Sequence, residues 1–210
     1  MVIINKGYEE NGMSLKSEGK GAVNTKERVQ HIAIELFQKH GYENVTINQI
    51  CHEAGITKRS FYYHYSSKAE LLHGLIDMMG VQAETLMDSL AEQHTNIGTL
   101  WTLMSVYAVH SANYGPEIIR QIYTITIQGE TEEDFPYSTY LYNTVVKTLK
   151  SAKDAGEIKS PVAAEDLAFA LYHGFRSVSM TWASTGGAFD EVEAFRRIFS
   201  ATLGITKDSF

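Results

Sequence analysis

The sequence has little of what stabilises small secreted proteins or anchors membrane proteins. Its 210 residues include one cysteine, Cys51, which cannot form an intrachain disulfide. No apolar run approaches the length of a signal or membrane segment. The three prolines are few for this length, and long stretches without a strong helix breaker favour helices over a strand-rich sandwich or barrel. These absences predict an all-α protein of the cytoplasm with no membrane partner.

Negative charge dominates the chain but is unevenly distributed. The formal net charge is −7, yet the stretch from Lys20 to Leu72 holds seven Lys or Arg and five Asp or Glu residues. A mildly basic module on an acidic body is typical of a protein that contacts phosphates with one end only. Residues 1–24 are rich in Gly, Asn, Ser, Lys and Glu with little periodicity, which predicts a flexible arm.

The first helix is expected to start at Asn24 or Thr25, with Glu27 completing a capping box, and to end before Gly41. Its apolar stripe is Val29, Ile32, Ala33, Leu36 and Phe37. Further helices are expected at about 46–54, 57–64, 67–94, 97–114, 116–129, 136–156, 161–184 and 190–203. Pro116 and Pro161 suit first-turn positions, and Gly204 suits a terminator.

Local capping chemistry is dense between residues 46 and 70. Thr46 with Gln49, and Ser67 with Glu70, have the spacing of capping boxes, and Thr57 can cap a third helix. Two short helices joined by a tight turn at Gly55 form a helix-turn-helix, in which the second helix enters the major groove of DNA. The apolar residues expected to pack inward against Leu36 and Phe37 are Ile47, Ile50, Ala54, Ile56 and Phe61.

The residues left for the outward face of the second helix are Thr57, Lys58, Arg59, Ser60, Tyr62, Tyr63 and His64. Cationic and hydroxyl groups of this kind bind phosphates or base edges, and aromatic rings contact thymine methyls. Lys68, at the start of the next helix, is also placed for a phosphate. The alternative is a helical hairpin within an ordinary core, with the tyrosines as buried filler.

The stretch GYENVTINQICHEAGITKRSFYYHYSSKAELL, from Gly41 to Leu72, resembles the DNA-binding domain of TetR-family regulators. The resemblance covers roughly residues 25–75 and rests on five features of that family: Gly41-Tyr42, Thr46, Ala54-Gly55-Ile56, the run Phe61-Tyr62-Tyr63-His64-Tyr65, and Lys68.

The resemblance implies a three-helix DNA-binding domain at 25–72, followed at 73–210 by a helical effector-binding and dimerisation domain, about nine helices in all. It places phosphate contacts at Thr46, Thr57, Tyr63 and Lys68. It places base contacts among Lys58, Arg59, Ser60, Tyr62 and His64. Family members more often carry a small residue at the position of Arg59, so this arginine is expected to alter the preferred operator.

Aromatic and polar side chains on the later helices are candidates for an effector pocket: Trp101, Met104, Tyr107, His110, Tyr123, Tyr142, Tyr172 and Phe175. Pockets are lined by such groups, but aromatic stripes are also ordinary core. Two stripes with alternating spacings of three and four suit packing on a symmetry mate: Leu167, Leu171, Gly174, Val178, Thr181, and Val192, Phe195, Phe199, Thr202. The alternative for both stripes is a face buried within the chain.

These observations predict a repressor that binds a pseudo-palindromic operator in double-stranded DNA as a homodimer and is released by a small molecule. A regulator without a ligand, or one gated by a protein, is the alternative. A helical hydrolase is a weaker one, because the sequence lacks G-x-S-x-G, H-E-x-x-H and a P-loop. No cofactor is expected, and His73 with Asp77 is too small a set to predict a metal site.

Overall fold

The computed structural model describes residues 25–72, 75, 95–129 and 139–206, and all regular structure within these ranges is helical. The predicted all-α class is therefore confirmed. The described residues form nine helices: α1 (Thr25–His40), α2 (Ile47–Glu53), α3 (Lys58–His64), α4 (described at 68–72 and at 75), α5 (Asn96–Tyr114), α6 (Pro116–Ile127), α7 (Thr139–Asp154), α8 (Ala164–Ser184) and α9 (Glu191–Leu203). Within this part of the chain no helix is long and apolar enough to cross a bilayer.

Two of the signals read from the sequence set helix ends as expected, and a side-chain cap sets a third. Pro116 occupies the first turn of α6, and Gly204 ends α9 in the left-handed conformation, with φ 65°. Asp190 caps α9 by accepting a hydrogen bond from the Glu193 amide. The predicted arm at residues 1–24 and the pair His73 and Asp77 lie outside the described residues.

The expected start of α8 at Pro161 is wrong, because the helix begins at Ala164. Residues 161–163 instead follow a turn in which the Ser160 hydroxyl accepts a hydrogen bond from the Val162 amide (3.3 Å). The Lys153 ammonium donates to the Val162 carbonyl and so ties this segment to the end of α7. A serine side chain that bonds to nearby backbone competes with helix formation, which explains the later start.

The buried face of α1 also differs from the expected stripe. Val29, Ala33 and Phe37 are buried as predicted, but Ile34 completes the face, whereas Ile32 and Leu36 lie half-buried at its edges. The same face carries a buried polar residue that periodicity could not identify. The Gln30 amide donates to the Leu71 carbonyl (3.0 Å) and so joins α1 to α4.

An N-terminal core unites helices α1–α4 with two elements of the following body. Phe37, Ile50 and Phe61 are fully buried in it, and they pack with Ile118, Ile119 and Ile122 of α6 and with Trp182 and Ala183 near the end of α8. At the edge of this contact the Gln38 amide donates to the carbonyls of Asn113 (3.2 Å) and Tyr114 (3.1 Å), at the end of α5. Helix α1 thus lies directly on the corner between α5 and α6.

A second core, the body core, is formed by α5, α7, α8 and α9. Trp101 of α5 stacks on Phe195 and meets Phe199 edge-on, with ring centroids 5.9 and 5.3 Å apart. Helices α8 and α9 come close at Gly174, where an added Cβ would lie 2.5 Å from Ile198 Cγ2. This glycine is needed for the close approach of the two helices.

The body core accounts for four residues of the two stripes expected to contact a second copy. Leu167, Leu171, Phe195 and Phe199 are at most 3% exposed and pack within the chain. For these residues the alternative, a face buried within the chain, is correct. Periodicity identifies the apolar face of a helix but not the partner that covers it. The remaining stripe residues are Gly174, Val178, Val192 and Thr202, which are half-buried, and Thr181, which is exposed.

Candidate nucleic-acid interface

The turn between α2 and α3 is a complete Schellman motif. The Ile56 amide donates to the Cys51 carbonyl (2.9 Å) and the Gly55 amide to the His52 carbonyl (3.1 Å). Gly55 has φ 61°, the left-handed conformation that this motif requires and that glycine adopts without strain. The hydrogen bonds of the turn therefore fix the direction in which α3 leaves α2.

Both helices of the pair start at threonine caps. Thr46 and Gln49 form the reciprocal capping box that their spacing predicts, and the Thr46 hydroxyl also donates to Gln49 Oε1 (2.9 Å). A phosphate at Thr46 would have to compete with that bond. The Thr57 hydroxyl accepts from the Ser60 amide (3.1 Å), which leaves its own proton available for donation to a phosphate oxygen.

The inward face of α3 is anchored by two aromatic residues. Phe61 is fully buried, and Tyr65, just past the helix, is 1% exposed. The Tyr65 hydroxyl donates to the Lys26 carbonyl (2.8 Å), and burial, with help from Glu70 and Glu27, raises the Tyr65 pKa well above its usual range. Tyr65 therefore acts as a neutral hydrogen-bond donor that fastens α3 to α1.

The outward face of α3 is polar and aromatic. Lys58 and Arg59 are exposed, and Tyr62 and Tyr63 have 54% and 84% of their surface accessible. The structure places the other expected contact residues around this face: Thr46 and Thr57 are exposed, and Ser60 and His64 are half-buried. Large exposed aromatic side chains beside two cations form a surface suited to phosphates and base edges.

The Lys68 side chain bonds within the domain, which differs from the solvent-exposed position expected of a phosphate contact. Its ammonium donates to the carbonyls of Tyr42 (2.6 Å) and Val45 (3.0 Å) and lies 4.0 Å from the centre of the Tyr42 ring. Burial lowers the Lys68 pKa, and Glu43 opposes that effect. Two of the three ammonium N–H groups thus hold the loop between α1 and α2 against α4.

Arg28 has a related role that sequence reasoning missed. Its guanidinium donates to the carbonyl of Ala54 (2.8 Å), the last residue before the turn, and so ties α1 to the end of α2. The two residues lie 26 positions apart, and no local spacing rule connects them. Arg28 and Lys68 each use a positive charge to satisfy backbone carbonyls of the helix-turn-helix scaffold.

A model of a known domain family matches residues 31–75, and its description is bacterial regulatory proteins, tetR family. Residues 31–75 thus match the N-terminal segment of the TetR family of bacterial regulatory proteins. The match covers most of α1, the helix-turn-helix and the described part of α4. The matched family and the relatives that align with this chain are transcriptional regulators.

Relatives extend the comparison unevenly. The chain is 27% identical to the mycofactocin biosynthesis transcriptional regulator MftR of Mycobacterium tuberculosis over 188 residues, 84% of this chain and 93% of that protein. It is 47% identical to an HTH-type transcriptional regulator, YerO of Bacillus subtilis, but only over 47 residues, 22% of this chain and 16% of YerO. The stronger identity is thus confined to a short segment.

The whole fold is similar to that of a solved TetR-family repressor. The FadR repressor of Thermus thermophilus, crystallised with lauroyl-CoA, superposes with a TM-score of 0.63 at 17% identity, over 85% of this chain and 93% of that one. At this level of identity the similarity shows a shared fold with an N-terminal helix-turn-helix domain.

The residues expected to line an effector pocket fall into more than one group. Trp101, Met104, Tyr107, Tyr172 and Phe175 lie in the body core, and Tyr142 packs half-buried against it with its ring 5.7 Å from Tyr172.

Two further candidates lie apart from that set. His110 is 8% exposed, its ring stacks on Tyr114, and burial lowers the His110 pKa. Tyr123 belongs to the N-terminal core and donates to the Arg176 carbonyl (3.4 Å). The structure therefore unites six of the eight candidates in or against one core and leaves His110 and Tyr123 outside it.

Proposed function

We propose that this regulator binds a pseudo-palindromic DNA operator as a homodimer, that α3 reads the major groove, and that a small molecule releases it. The observation that carries the proposal is the outward face of α3. Lys58, Arg59, Tyr62 and Tyr63 are exposed there on a helix whose opposite side is anchored by Phe61 and Tyr65. Tyrosines exposed to this extent are suited to contacts with DNA.

The contacts divide into positioning and reading groups. Thr57 and Tyr63 are assigned to phosphates, with Thr46 and Lys68 as weaker candidates because their polar groups already bond within the domain. Such contacts are independent of sequence, whereas side chains that reach base edges discriminate between sequences.

The reading group comprises Lys58, Arg59, Ser60, Tyr62 and His64. An Arg bonded to a guanine by two hydrogen bonds discriminates by about 1–3 kcal/mol against other bases. Arg59 is therefore the residue expected to dominate sequence preference.

A homodimer would hold two copies of α3 about 34 Å apart, one turn of B-DNA. The surface that supports dimerisation is the outward side of α8, where Phe169 and Met180 are 60% and 44% exposed. Large exposed apolar side chains on one helix face are typical of a protein interface. Of the other expected interface residues, Thr181 is exposed, and Gly174, Val178, Val192 and Thr202 are half-buried.

A small-molecule effector is supported by the ligand of a structural neighbour, since the Thermus FadR repressor was crystallised with lauroyl-CoA. The body core of this chain provides apolar and aromatic groups suited to such a ligand. An effector can dissociate the complex only by binding more tightly to the form whose α3 helices are misplaced. Lauroyl-CoA is the first probe to test in a thermal-shift assay, because binding to the native state raises the melting temperature.

Selection of bound fragments from a random DNA pool tests the function and its symmetry together. The expected result is an enriched inverted repeat. Arg59→Ala should change the enriched bases, Tyr63→Ala should weaken binding to all sequences alike, and Arg120→Ala, an exposed arginine of α6, should do neither. Failure to enrich any sequence at low salt would refute DNA binding, and enrichment without a repeat would refute the dimer.

A further inference from the structure

A buried polar cluster lies where α5, α6, α8 and α9 meet, and each helix contributes one side chain: Ser111, Tyr123, Ser179 and Glu191. Each is at most 5% exposed. The hydroxyl oxygens of Ser111 and Ser179 lie 3.3 Å apart. Glu191, in the first turn of α9, is the only acidic residue among the fully buried positions of the described chain. A carboxyl in this position requires a partner or a proton.

Within the part of the chain that the structure describes, no opposite charge balances the Glu191 carboxyl. Neither of its carboxyl oxygens makes a hydrogen bond of regular geometry with the described residues. Burial raises the Glu191 pKa to about 7; Ser179 and Ser111 lower it in part, and the Asp190 carboxylate raises it further. No Lys, Arg or His of the described chain contributes to the shift.

The other groups around the carboxyl belong to the neighbouring helices. From α6, Tyr123 feels the Glu191 charge: burial raises its pKa to about 12, Ser179 and Arg176 of α8 lower it, and Glu191 raises it. From α5 only the neutral hydroxyl of Ser111 acts on the carboxyl, and the titratable His110 and Tyr114 lie on either side of it along the helix. Ionisation of Glu191 would thus place an uncompensated negative charge between four helices.

The helices that form the cluster continue from it to the contact with the DNA-binding helices. Ser111 is one turn before Tyr114, whose carbonyl receives the Gln38 amide of α1. Tyr123 follows Ile122, which packs in the N-terminal core, and Ser179 is one turn before Trp182 and Ala183 of the same core. The cluster therefore lies within one helical turn of residues that contact α1 or belong to the N-terminal core.

We propose that Glu191 is a proton-binding site whose charge state controls how the helix-turn-helix is seated on the body, so that DNA affinity responds to pH. The neutral carboxyl is compatible with the packed arrangement of the four helices. When the carboxyl ionises, α6, α8 and α9 move apart or towards solvent so that the charge is hydrated. The contact between the helix-turn-helix domain and the body is then weakened. The coupling to DNA rests on the proposed function, whereas the proton site does not.

The experiment measures two quantities between about pH 6 and about pH 8, a range that spans the titration of a group with a pKa near 7. The first is the unfolding midpoint, and the second is affinity for the selected operator. Wild type is compared with Glu191→Gln, which keeps the shape of the neutral carboxyl, and with Glu193→Gln, which removes the same charge from the same turn.

Wild type and Glu193→Gln should lose DNA affinity as pH rises through about 7. Their loss should exceed that of Glu191→Gln by a factor on the order of five. All other ionisable groups near the DNA are the same in wild type and Glu191→Gln, so the difference between their profiles isolates Glu191. Ser179→Ala removes a hydroxyl that favours the ionised form and should move the transition to higher pH. A residue with only a structural role would not produce that displacement.

The outcomes separate the two proposals. Identical pH profiles of unfolding for wild type and Glu191→Gln would overturn the proton site, whatever DNA does. Different unfolding profiles with parallel affinity profiles would overturn the coupling. If no variant binds DNA at any pH, both the proposed function and the coupling are refuted. The unfolding profiles still test the proton site in that case.

Discussion

Replacing Lys68 by Met distinguishes a scaffold residue from a phosphate contact. The substitution keeps most of the apolar stem and removes the ammonium that bonds the carbonyls of Tyr42 and Val45. Hydrogen bonds to a charged group contribute about 1.5–3 kcal/mol, and a cation above an aromatic ring contributes about 0.5–2 kcal/mol. The Tyr42 carbonyl keeps a second donor, the Val45 amide at 3.3 Å, so the loss is smaller than the sum.

We expect Lys68→Met to lower the free energy of unfolding by about 2–3 kcal/mol. For a chain of this size that corresponds to a fall in melting temperature on the order of 5–10 °C. The matched control is Lys58→Met, because Lys58 is exposed at the start of α3. The control should change stability by less than about 0.5 kcal/mol.

The salt dependence of DNA binding completes the assay. Loss of one phosphate contact reduces the slope of log K against log salt by about 0.9. We expect no such reduction for Lys68→Met, measured at a temperature at which the variant is folded. An unchanged melting temperature with a reduced slope for Lys68→Met would refute the assignment of Lys68 to the scaffold.

Three further predictions concern the body. The folded Glu191 carboxyl binds a proton more tightly than the unfolded one, so stability should fall by about 3 kcal/mol as pH rises from about 4.5 to about 7, and Glu191→Gln should abolish this fall in calorimetry at several pH values. Gly174→Ala should destabilise by about 1–3 kcal/mol through the Ile198 contact, and Ile198→Ala in the same chain should restore part of the loss in urea titrations; equal effects with and without Ile198 would contradict this. Phe169→Asp with Met180→Asp should give monomers in light scattering, whereas Ile127→Asp, at a side chain 65% exposed on α6, should not; a dimer that survives the double change would place the interface elsewhere.

The sequence by itself determined the features that depend on residues within about five positions of each other. The Thr46 capping box, the Thr57 cap and the Gly55 turn follow from local hydrogen bonds and from the freedom of glycine, and the structure contains all three. The division of α3 into a buried Phe61 and exposed tyrosines also follows from helical spacing. The resemblance to the TetR family rests on this same segment, and it can be recognised from the sequence because these features are local.

Only the tertiary structure decided which apolar face is covered and which charges are already in use. Helix α8 carries apolar residues on two sides: Leu167 and Leu171 pack within the chain, whereas Phe169 and Met180 remain exposed. Helical periodicity does not distinguish the two faces, because burial depends on which helices from elsewhere in the chain pack against them. Lys68 and Glu191 illustrate the same limit. Each charge state depends on residues that are distant in the sequence: carbonyls that bond the Lys68 ammonium, and helices that bury the Glu191 carboxyl without an opposite charge. No local spacing in the sequence encodes either environment.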